Sequence, residues 1–138
     1  MIAPNPGEPA KPLRTIASSG EMSRVMLAIK SALAKEDAIP LLVFDEIDAN
    51  VGGEIAAAVG RKMQSLGETH QIISITHLPQ VAALAGHHYV VNKEVQNDRT
   101  FSRLTLVENE ARVDEIARML GGKSESAKSH ARSLLQEA

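Results

Sequence analysis

Asp45 and Glu46 stand side by side directly after four apolar residues, Leu41, Leu42, Val43 and Phe44. The C-terminal end of a buried strand is where α/β sheets place their ligands. A carboxylate at Asp45 can hold Mg2+ there, usually through water. Glu46 is then free to orient or deprotonate an attacking water. Two acids so placed are costly unless a cation or hydrogen-bond donors meet them. The same pattern also fits a strand that exits to solvent, with acids capping the next turn.

Two other stretches carry able groups. His77 follows a second apolar run, "QIISIT". If the two runs are parallel neighbours, His77 emerges on the same sheet edge as the acid pair and can donate to a phosphate or a water. Its alternative role is to cap the short helix that Pro79 opens. The second stretch is Ser18-Ser19-Gly20-Glu21. Free backbone N–H groups and the positive end of a helix dipole make such a start an anion site. The competing reading is a capping box, with Ser18 and Glu21 satisfying each other's backbone N–H groups. His87 and His88 are adjacent, so on a strand they point to opposite faces and cannot share a metal. His130 and the tail charges Arg112, Arg118, Lys123, Lys128 and Arg132 read as a solvated face.

A phosphate-cradling loop of the form G-x-x-x-x-G-K-[ST] is missing from the sequence. The nearest stretch, "GGKSES" at 121–126, lacks the first glycine at the required spacing and follows a helical stretch. It reads as a helix stop with Ser124 as the next N-cap.

The elements that must position these groups follow from periodicity. Residues 21–35 form an amphipathic helix with Val25, Met26, Ile29, Ala32 and Leu33 inward. Residues 39–44 and 71–76 read as fully buried strands. Between them, residues 53–66 form a helix with Ile55, Ala56, Val59 and Met63 inward. A short helix spans 79–84. Strands at 88–93 and 100–107 flank a polar turn and make a hairpin, and helices cover 113–120 and 124–135. Strand, helix, strand implies a parallel α/β sheet. The expected fold class is therefore α/β: a mainly parallel sheet with flanking helices and a C-terminal β-hairpin. Residues 1–14, with Pro4, Pro6, Pro9 and Pro12, are expected to be an arm or linker, and 15–138 the folded lobe.

Composition sets outer bounds. The chain has 138 residues, 43% of them apolar, enough for one core. Phe44, Tyr89 and Phe101 are its aromatic residues, so the core must be aliphatic. A formal charge of -2 gives no global basic field for nucleic acid. Cysteine is absent, which excludes disulfides and thiolate metal sites. No run is long enough to span a membrane, and the expected location is the cytoplasm, with nucleoid association allowed.

These motifs, in this order, resemble the C-terminal lobe of an ABC-type ATPase head of the SMC family. "IASSGEMSRVMLAIKSAL" resembles the family's signature segment, "LLVFDEIDANVGG" its Walker B and following loop, and "SITHLPQVAALAGHHYVVNKE" its switch-histidine segment. "RVDEIARMLGG" and "SHARSLL" are similar to its tail. The likeness runs from about residue 5 to residue 135 and is strongest to the branch that acts in recombinational repair of DNA double-strand breaks.

The resemblance implies ATP and Mg2+ as cofactors and ATP hydrolysis as the activity. It makes Asp45 the Walker B magnesium acid, Glu46 the catalytic glutamate and His77 the switch histidine. Ser18, Ser19, Gly20 and Glu21 become the signature, which reaches ATP held by an opposing head. Asp48 and Asn50 fall in the loop that crosses the dimer interface. The implied partners are an N-terminal Walker A lobe joined through a coiled coil, a second identical head, and DNA through the complete protein, with no membrane.

The chain alone is then expected to be inactive, with exposed sheet edge and apolar surface. Two departures stand out: Ser19 occupies the first glycine position of the usual Ser-Gly-Gly, and Gly52 stands near a common aspartate. The alternatives are an SMC-like or ABC head with another task, a non-catalytic half-head that binds a partner, and a metal-dependent phosphatase-like site built on Asp45, Glu46, Asp48 and His77.

Overall fold

A computed structural model describes residues 7, 9, 12, 18–34, 36, 39–96, 98–122 and 124–137. The expected arm at 1–14 lies almost wholly outside the described residues. The chain divides into two compact units, 1–76 and 77–138.

The first unit holds α1 (Ser19–Ala32), β1 (Leu41–Phe44), α2 (Gly53–Leu66) and β2 (Gln71–Ser74). β1 and β2 pair in parallel, Leu41 opposite Gln71 through Phe44 opposite Ser74. A further bond from the Ile75 N–H to the Phe44 carbonyl extends the pairing by one residue. A parallel pair needs a crossover, and α2 supplies it. Ala56, Val59, Gly60, Met63 and Leu66 form its buried stripe. Ile55, expected inward, is 60% exposed.

Neither strand is fully buried. Leu42 and Phe44 face the core, but Leu41 and Val43 do not, and Ile73 and Ile75 are likewise exposed. A continuous apolar run signals a strand covered on both faces. Here the unit covers one face only.

Helix α1 departs from expectation in an instructive way. Its buried residues are Gly20 and Leu27, while Met26, Ile29 and Leu33 are exposed. The face turned inward is 20, 23, 24 and 27, spaced i, i+3, i+4 and i+7. Only Leu27 on it is apolar, beside Gly20, Ser23 and Arg24, so apolar periodicity marks the opposite face.

The second unit holds α3 (Pro79–Ala83), β3 (His88–Gln96), β4 (Arg99–Val107), α4 (Asn109–Met119) and α5 (Glu125–Gln136). β3 and β4 form the expected hairpin, antiparallel from His88 opposite Val107 to Gln96 opposite Arg99. Its strands are nine residues long against four in the parallel pair. Among the described residues the sheet structure is therefore not mainly parallel: the first unit has a short parallel pair and the second a longer antiparallel one. Tyr89, Val91, Leu104 and Leu106 line one exposed face of the hairpin.

Ala82, Ala83, Val113, Ile116, Ala117 and Ala131 make the core of this unit. Gly121, at φ 102°, ends α4. The Gly121 N–H reaches the Arg118 carbonyl, and the Gly122 N–H that of Ala117. This is a Schellman stop that an L-residue would strain. The Ser124 hydroxyl accepts from the Ala127 N–H and starts α5, as the sequence predicts. Arg112 is not simply solvated. Its guanidinium donates to the carbonyls of Ala82, Ala83 and Ala85 and closes the end of α3. Ion pairs Lys128–Asp114 at 2.7 Å and Arg132–Glu110 at 3.1 Å join α5 to α4.

His88 is half-buried, and its Nδ1 is buried without a hydrogen-bond partner among the described residues. Burial holds its imidazole below the usual range; Arg112 and Arg118 push the same way and Glu115 opposes them. Unfolding returns it to its ordinary value near 6.5, so below that pH the unfolded chain binds the extra proton and stability falls. The urea midpoint should drop between about pH 7.5 and about pH 5.5, and His88→Leu should flatten this dependence.

Candidate functional site at the end of strand β1

β1 ends at Phe44, and the next four residues divide by burial. Asp45 and Glu46 are exposed, Ile47 is 0% exposed and Asp48 is 2% exposed. Ile47 anchors the loop, which leaves the acid pair outside at the strand's C-terminal end. The Asp45 carboxylate takes no hydrogen bond among the described residues; its backbone carbonyl accepts from the Ser23 hydroxyl, 3.0 Å away.

The Asp48 carboxylate turns inward and accepts from the Thr76 hydroxyl, just past β2. It staples the loop after β1 to the segment after β2. Asn50 is exposed, with φ 59°. The turn between is closed by the Ala49 N–H on the Glu46 carbonyl at 3.0 Å.

Helix α1 clamps this loop. Arg24 Nη1 donates to the carbonyls of Ile47 at 3.1 Å and Ala49 at 3.0 Å. The Ser19 hydroxyl donates to Glu46 Oε2. Gly20 lies so close that a Cβ on it would meet the Glu46 carbonyl at 2.8 Å and Ala49 Cβ at 2.9 Å. Glu46 itself sits at φ 55°, a left-handed conformation that a glutamate adopts only under constraint.

The capping box is also present. Ser18 N–H donates to Glu21 Oε2 at 2.8 Å, and the Glu21 N–H donates to Ser18 Oγ at 3.3 Å. The Ser18 backbone N–H, then its hydroxyl, hold the Glu21 carboxyl below the usual range. Capping and a phosphate-facing helix start are compatible, since the box uses few of the free amides.

The structure thus brings Ser18, Ser19, Gly20, Asp45, Glu46 and Asp48 together in the first unit. His77 is exposed and opens the second unit. It does not cap α3, whose N-cap is Leu78. The sequence reading missed Ser23, Arg24 and Thr76. The signal for the first two was the 20/23/24/27 spacing, hidden by its polarity.

Among the described residues no group of three or more His, Asp or Glu could hold a metal by itself. A lone exposed carboxylate does fit Mg2+ that keeps its waters and is shared with substrate phosphates. No helix among them is long and apolar enough to cross a membrane.

The fold is similar to that of a solved SMC ATPase chain. It matches a solved chain from work on ATP-driven dimerization and DNA-stimulated activation of SMC ATPases, with TM-score 0.55 and 20% identity over 86% of this chain and 70% of that one. No protein-family model matches the chain. In sequence it is RecN-like along its length. It is 52% identical to the DNA repair protein RecN of Xylella fastidiosa over 99% of the chain. The identity is 49% to RecN of Deinococcus radiodurans over 95%, and 41% to RecN of Bacillus subtilis over 100%. The chain spans about a quarter of the length of these relatives.

Because the Gly20 contact is with backbone on one side, Gly20→Ala cannot be absorbed by a rotamer change. It should cost about 1–3 kcal/mol, read as a lower urea midpoint with the α-helical signal retained below the transition.

Proposed function

We propose that this chain is the Walker B and signature lobe of a RecN-like ATP-hydrolysing head in recombinational repair of DNA double-strand breaks. The carrying observation is the exposed Asp45–Glu46 pair at the end of a parallel strand, clamped by the helix that starts at Ser19. In this reading Asp45 would hold Mg2+, and Glu46 would orient the attacking water. His77 contacts the γ-phosphate. Ser18, Ser19, Gly20 and Glu21 face ATP on an opposing head, with Asn50 on the crossing loop and Asp48 bracing that loop from within. When bound, Mg2+ supplies charge neutralisation at the phosphates; the residues of this chain supply position.

The reading requires a second lobe, since the sequence has no phosphate-cradling loop. The exposed stripe of Met26, Ile29 and Leu33 and the uncovered residues Val43 and Ile73 support such a partner. A second identical head, DNA reached through the complete protein, and a cytoplasmic location complete the proposal. The same exposed surface also supports a half-head that binds a partner without catalysis, and Glu46 separates the two readings.

The chain alone should show no ATP turnover. Joined to a Walker A lobe it should hydrolyse ATP with Mg2+, and Glu46→Gln should lower kcat by at least about 100-fold. Steady turnover by the pure chain alone, or a Glu46→Gln variant of full activity in the joined protein, would overturn the reading.

A further inference from the structure

We propose that Ser19 is a positioning residue for Glu46, acting within the same chain. The proposal rests on Glu46 being the water-orienting acid. Ser19 is the residue that replaces a glycine in the resembling signature, and a side chain at that place would ordinarily be read as an obstruction to phosphate.

The structure gives its hydroxyl a different task. Helix α1 does not need it as a cap, because Ser18 and Glu21 already form the capping box. It is instead directed at the Glu46 carboxylate. The main chain of Glu46 is held by the next residue along: its carbonyl lies against Gly20, too close for any Cβ. Neighbouring residues of one helix therefore grip Glu46 at both ends, side chain and backbone. Arg24 and Ser23, one turn further on, fix the carbonyls on either side, those of Ile47, Ala49 and Asp45.

This grip accounts for the left-handed backbone at Glu46, which persists only where surroundings over-determine it. It also selects the side chain. An exposed glutamate loses several rotatable bonds' worth of freedom when it must present one oxygen to a water. A hydroxyl that takes Oε2 leaves Oε1 for that water and removes the search. The placement of the acid is thereby tied to the helix end that would contact nucleotide across the head interface.

The test uses Ser19→Ala, Ser19→Gly and Ser19→Thr in two measurements. In the chain itself, the carboxyl carbon resonance of Glu46 should move in the Ala and Gly variants and return in Ser19→Thr, which restores a hydroxyl. In the chain joined to a Walker A lobe, with ATP and Mg2+, kcat should fall at least about tenfold in the Ala and Gly variants with KM within about twofold, and recover in the Thr variant.

An unmoved Glu46 resonance overturns the contact. A resonance that moves while kcat holds or rises in Ser19→Gly overturns the positioning role and makes Ser19 an obstruction. If the joined wild-type protein turns over no ATP, the resonance still reports the contact, and the failure belongs to the proposed function, which takes the positioning role with it.

Discussion

The missing Cβ at Gly20 is the constraint on which the site depends. It lets α1 settle onto the turn at 46–49 with no room for another atom. Once the helix is there, Ser19, Ser23 and Arg24 fall within reach of that turn on successive positions of one face. Three backbone carbonyls that would otherwise face water receive donors. A hydrogen bond from a charged group contributes roughly 1.5–3 kcal/mol net, so the clamp is of the right size to hold a left-handed Glu46 that costs about 1–3 kcal/mol.

The acids after β1 show how burial assigns roles within one short loop. Ile47 goes into the core and fixes the phase of its neighbours. Asp45 and Glu46 are thereby left outside. Asp48 is drawn inside, where the Thr76 hydroxyl meets it. That bond ties the loop after β1 to the segment after β2, so the two strand ends cannot shift independently. An acid pair on an unbraced loop could not offer fixed geometry to a metal and a water; this loop is braced from helix and strand alike.

Much of this was legible in the sequence. The strand ending in Asp45 and Glu46, the Ser18–Glu21 capping box, the helix stop at Gly121 and the Ser124 cap each rest on local rules, and local rules hold without knowledge of neighbours. Apolar spacing points Ile55, Met26, Ile29 and Leu33 inward because it marks a face that wants cover, and says nothing of whether this chain provides it. Arg24 was overlooked for the converse reason. Its partners are backbone carbonyls, which carry no sequence signature. Asp48 could not be placed by pattern either, since its partner, the Thr76 hydroxyl, lies 28 residues further along the chain. The parallel pair was read correctly from β1, α2 and β2, but the longer hairpin outweighs it.

The account's central claim is that Asp45 sits at the magnesium of a nucleotide site. Iron-directed backbone cleavage tests this most directly. With Fe2+ in place of Mg2+, ATP present and a Walker A lobe joined to the chain, cutting should map to the segment around Asp45, depend on ATP, and vanish in Asp45→Asn. Cleavage that ignores ATP, or that maps away from the end of β1, would contradict the account.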